Sequence, residues 1–112
     1  MNTVVSIPAE KKLLLTYRVE PGCLGPDGMS YINDFCKHAG DAFINHHSNY
    51  VVYQFIPRYE KSLAEMEFSI NNQRLSEKKA GQYMSLFAQT LEGFEEDLQN
   101  QLTSLIEIFF DR

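Results

Sequence analysis

The chain has 112 residues, 44% of them hydrophobic, and a formal net charge of −5. One domain with one core is expected, because a chain of this length buries roughly two thirds of its unfolded surface, and the apolar share excludes a disordered polymer. The acidity argues against nucleic acid, whose phosphates need Lys and Arg to neutralise them, and two cysteines are too few for a disulfide framework.

Residues 1–11 are short and mixed, with Pro8 stopping any regular element, so a loose arm or edge strand is expected there. The opening stretch has no basic start followed by an apolar core, and no apolar run approaches the ~20 residues of a membrane span. A soluble cytoplasmic protein with reduced thiols follows.

From Lys12 the pattern alternates. Leu13, Leu15, Tyr17 and Val19 lie on one side and Lys12, Thr16, Arg18 and Glu20 on the other, which reads as a first strand. Pro21-Gly22-Cys23-Leu24-Gly25-Pro26-Asp27-Gly28 is the densest turn signal in the chain. Asp27 can then cap a helix running to about His46, with Ile32, Phe35, Cys36, Ala39 and Phe43 on its core face.

Residues 49–59 read as a second strand, apolar on both sides and so expected to be central. Ala64, Met66, Phe68 and Ile70 alternate with Glu65, Glu67 and Ser69 as a third strand, and the short link around Tyr59 to Ser62 predicts an antiparallel hairpin between strands two and three.

The last segment, residues 76–110, carries one apolar stripe at helical spacing, from Ala80, Met84 and Phe87 through Leu91, Phe94, Leu98, Leu102, Leu105 and Phe109. Ser76 is the expected N-cap. A continuous helix would measure about 50 Å, against about 35 Å for a compact domain of this size. Either the helix breaks near Gly93 and folds back, or a second copy of the chain covers the surplus.

The expected fold is a single α+β domain over residues 1–112, a two-layer sandwich in the order β-α-β-β-α. Its sheet is expected to be mainly antiparallel and its C-terminal helix long or broken. In topology this resembles five of the six elements of a ferredoxin-like unit, a likeness that no sequence motif carries.

Cys23 sits where a strand gives way to a helix, a setting that can depress a thiol pKa, and the glycine-rich loop could present amides to an anion. A ligand site there would use Arg18, Cys23, Asp27 and Arg58. The loop has no phosphate-binding signature, and its glycines equally suit turn geometry. His46 and His47 close the first helix, where its dipole favours a cation, and His38 falls between Asp34 and Asp41 on the wet face. No CxxC or HxxxH pair is present, so neither metal nor cofactor is expected. Glu65 and Glu67 follow from alternation on a solvated face, and Tyr50, Tyr53, Phe55 and Tyr59 lack the interleaved cations of a nucleic-acid surface.

The function expected is that of a small non-catalytic interaction or regulatory protein. Its partner would be a second copy of itself, docked through Leu86, Phe94, Leu98, Leu102, Leu105, Ile106, Phe109 and Phe110, with no nucleic acid and no membrane. The alternative is a small-ligand or anion binder, or an enzyme, that uses the Cys23 loop.

Overall fold

Leu13, Leu15, Tyr17 and Val19 are buried on one face of β1 (Leu13–Val19), and the sheet assembles on both edges of this strand. The computed structural model describes residues 7–110. β1 pairs in parallel with β2 (Val51–Pro57) and antiparallel with β3 (Met66–Ile70), which carries the two-residue β4 (Gln73–Arg74) on its far side. The order is β2-β1-β3-β4. Of the expected N-terminal arm, residues 1–6 lie outside the described residues and Ala9–Lys11 form one 3-10 turn.

The fold is α+β, as expected, but its sheet is mixed rather than mainly antiparallel. Adjacent parallel strands need a crossover, and α1 (Gly28–Ala42) supplies it between β1 and β2. β2 is therefore an edge strand and not a central one. It looks covered on both sides in the sequence because Val51 and Phe55 enter the core while Val52, opposite Leu14, lies on the outer face. Strands two and three do not form a hairpin, since β1 lies between them. In this arrangement the β-α-β unit has no strand inserted between its parallel pair, so the ferredoxin-like relation is not borne out.

The segment linking β2 to β3 crosses the end of β1, and two arginines hold it there. Arg58 donates to the carbonyls of Lys61 and Leu63 and to Glu20, and Arg18 donates to the Ala64 carbonyl at 2.6 Å and to Glu67 at 2.8 Å. The backbone adds Arg58 N to Val19 O and Arg18 N to Glu65 O.

The C-terminal segment is broken. α2 (Glu77–Ser85) is capped by Ser76, which accepts from the Lys79 amide as expected. The chain turns at Leu86–Thr90, with Ala88 at φ 60°, and α3 (Leu91–Phe109) begins under a Thr90 cap that accepts from the Gly93 amide at 3.0 Å. Gly93 is thus not the break itself. A Cβ there would lie 2.8 Å from the Thr90 hydroxyl, so glycine leaves room for the cap.

All three helices pack on the same face of the sheet. Ile32, Phe35 and Ala39 of α1, Ala80 and Met84 of α2, and Phe94, Leu98 and Leu102 of α3 form one core with the inward residues of β1, β2 and β3. Among the described residues no helix is long and apolar enough to cross a membrane. The outer face of the sheet is polar at its centre, where Thr16 meets Gln54 at 3.1 Å beside the Arg18–Glu67 pair.

Candidate functional site

A groove of about 500 Å³ lies at the β3–β4 edge, closed on its other side by the start of α2 and the first turns of α3. Met66, Phe68 and Leu75 contribute apolar surface, and Glu67, Glu77, Glu95 and Arg74 contribute charge. In a strand, alternate residues direct their backbone groups to opposite edges. The Glu65 carbonyl bonds inward to Arg18, whereas the Phe68 carbonyl accepts outward from Leu75 N, so Met66, Phe68 and Ile70 face the outer edge. β4 covers only Ser69 and Ile70. The amide of Phe68 and both backbone groups of Met66 consequently open onto the groove with no strand beside them among the described residues.

Acid dominates this recess, with three carboxylates against one guanidinium among the lining side chains. Glu67 is paired to Arg18, but Glu77 and Glu95 join no ion pair among the described residues. Burial, with the nearby charges of Glu77 and Glu92, pushes the Glu95 carboxyl above its ordinary range. A cation entering the groove would relieve that repulsion.

The residues anticipated for an anion site stand elsewhere. Arg18 and Arg58 hold the β2–β3 crossing and pair with Glu67 and Glu20. Cys23 is exposed, and burial together with Glu65 and Glu20 pushes its thiol up, the opposite of what an activated nucleophile needs. Asp27 occupies the N-cap position of α1 without a side-chain capping bond. Gly28 explains the loop better, because a Cβ there would fall 1.7 Å from the Pro21 carbonyl oxygen. Cys36 is buried, with its thiol pushed up to about 11, and belongs to the core.

Of the residues anticipated at a dimer surface, Phe94, Leu98 and Leu102 are only 2%, 1% and 5% exposed within the single chain. Leu105, Ile106, Phe109 and Phe110 are half-buried against the same core, and Leu86 stands in the α2–α3 turn, largely exposed.

A second cluster joins elements distant in sequence. His46 and His47, in the turn after α1, meet Asp97 of α3, and one ligand atom from each lies within 4.8 Å of the others. His46 Nε2 is 3.1 Å from Asp97 Oδ2, and His47 Nδ1 is 3.2 Å from the Tyr50 hydroxyl. Burial and the neighbouring His46 depress the His47 pKa against the opposing pull of Asp97, keeping this imidazole neutral. No ligand spacing in the sequence signals this cluster. Adjacent residues ordinarily point apart, and it is the φ of 51° at His47 that changes the path of the turn.

Comparison with protein-family models, with curated proteins and with solved structures gives no match, so any account of function rests on the chain's own geometry.

Proposed function

We propose that this chain is a non-catalytic interaction protein that receives an extended, basic segment of a partner in the groove along β3. The observation that carries it is the open edge at Met66 and Phe68, set beside carboxylates that lack a cation among the described residues. An added strand would use the free backbone groups for affinity, its alternate apolar side chains would meet Met66, Phe68 and Leu75, and its Lys or Arg would meet Glu77 and Glu95. A cytoplasmic location belongs to the same reading, supported by the unpaired thiols of Cys23 and Cys36.

Selection of random displayed heptapeptides on the purified protein tests it. Binders enriched in Lys or Arg alternating with apolar residues, and lost on Glu77→Lys with Glu95→Lys, are the expected result. Absence of that enrichment, or binding that survives both substitutions, overturns it.

A second reading, self-association through the C-terminal helix, is favoured by Ile108, 67% exposed beside Phe109 and Phe110, and by Leu86 at 76%. Native mass measurement at high protein concentration separates the two, because a lone monomer removes the self-association reading and leaves the groove untouched.

A further inference from the structure

The geometry points to a binding site for one divalent transition-metal ion of the zinc type, held by His46, His47 and Asp97. Two imidazoles and one carboxylate form the donor set used for such ions when one coordination position is left open to water or a ligand.

The turn is built to hold the two rings together. His47 has φ 51°, and its carbonyl accepts from the amides of both Tyr50 and Val51, fixing a backbone conformation that is uncommon outside glycine, asparagine and aspartate. As a result the rings of these consecutive residues lie 4.3 Å apart. Asp97 then arrives from α3, and both imidazoles have neighbours that position them. Phe43 lies 5.3 Å edge-on to His46, Phe94 lies 5.9 Å from His47, and Tyr50, whose hydroxyl meets His47 Nδ1, is stacked at 4.1 Å on Phe87. In the tautomer whose Nδ1–H donates to that hydroxyl, His47 keeps its Nε2 lone pair for an ion, with the hydrogen-bonded partner on the other nitrogen that metal-bound histidines ordinarily have.

The distances fit an exchange of proton for metal. His46 Nε2 and Asp97 Oδ2 share a hydrogen at 3.1 Å. Two donors bound about 2.1 Å from a tetrahedral ion stand about 3.4 Å apart, so this pair need open only a few tenths of an ångström. No ligand separation exceeds 4.8 Å, so the widest pair needs to close by little more than about an ångström to share one ion. The hydroxyl of Tyr53, whose ring centroid lies 6.0 Å from that of His46, is buried without a hydrogen-bond partner among the described residues. That is a polar group near the site, close enough to feel the charge of Asp97, for which the described residues supply no partner.

The site joins the α1–β2 turn to α3, so an ion bound there cross-links residues about fifty positions apart and favours the folded chain over the unfolded one. Titration of the purified protein with cobalt(II) chloride, read by visible absorption and then by displacement with zinc chloride, tests the assignment. One equivalent should bind with the intense d–d absorption of a four-coordinate site and raise the melting temperature. Asp97→Asn, at a half-exposed position, and His47→Asn, which tolerates the left-handed backbone, should each fold by circular dichroism and weaken cobalt binding at least tenfold. A folded wild-type protein that binds no cobalt at stoichiometric concentrations overturns the assignment. So does binding left unchanged by both substitutions, which would place the ion on other residues.

Discussion

The hydroxyl of Tyr83 donates to the carbonyl of Tyr50 at 2.6 Å and accepts the amide of Leu13 at 3.2 Å. One side chain of α2 therefore joins the start of β1 to the residue that precedes β2, where the parallel pair begins. Tyr83→Phe removes both bonds, though Leu13 N keeps its own contact with Tyr50 O at 3.1 Å. The expected loss is about 1 kcal/mol, the net worth of a part-buried hydrogen bond. It should appear as a lower urea midpoint with an unchanged slope.

Three glycines make a graded comparison. A Cβ at Gly28 meets the Pro21 backbone, which cannot swing away as a side chain would, so Gly28→Ala should cost about 1–3 kcal/mol. Gly40 lies inside α1 with open space around its Cβ, and Gly40→Ala should gain about 0.5–1 kcal/mol from helix propensity alone. Gly22→Ala, also in open space, should change stability by less than about 0.5 kcal/mol. Urea unfolding should rank the variants, from most to least stable, as Gly40→Ala, Gly22→Ala and Gly28→Ala.

What the sequence displays and what it conceals divide along physical lines. Alternation at Leu13–Val19, the Ser76 cap and the core faces of α1 and the C-terminal segment are local patterns, and each appears in the structure where its period places it. The order of strands is not local. The short link around Tyr59 to Ser62 reads as a hairpin by length, and only the hydrogen bonds of Arg18 and Arg58 across the actual link, residues 58–65, show that it passes the end of β1. The same arginines look like free anion ligands in one dimension because their carbonyl and carboxylate acceptors come from other segments. His46, His47 and Asp97 are hidden twice, by the fifty residues between turn and helix and by a backbone conformation at His47 that no pattern announces.

Cys23 offers a chemical readout of its surroundings. Desolvation first, then the charges of Glu65 and Glu20, disfavour the thiolate, which is the species that attacks an alkylating reagent. Iodoacetamide should therefore modify this exposed thiol more slowly at pH 7 than it modifies an unperturbed cysteine, and the rate should keep climbing above pH 9. Glu65→Gln removes one of the opposing charges while leaving the Arg58–Glu20 pair intact, and it should speed the reaction severalfold at pH 7.

Glu95 makes the acidity of the groove measurable as stability. Its folded-state pKa is raised by burial, then by Glu77 and Glu92, so the folded protein favours the protonated carboxyl. A group of this kind contributes stability that is fully present below its unfolded pKa, about 4.3 for glutamate, and that is lost as pH rises through the higher folded value. At pH 7 the ionised side chain works against folding. Glu95→Gln should accordingly stabilise the protein at pH 7, by no more than about 0.5 kcal/mol because the group is largely solvated and its repulsion is screened. At pH 3.5 the variant and the wild type should unfold at the same denaturant concentration, and at pH 7 the gain should shrink as salt is raised toward 1 M. A substitution that stabilised equally at both pH values would trace to packing in the groove wall, because carboxylate repulsion has no means of acting once all three acids are protonated.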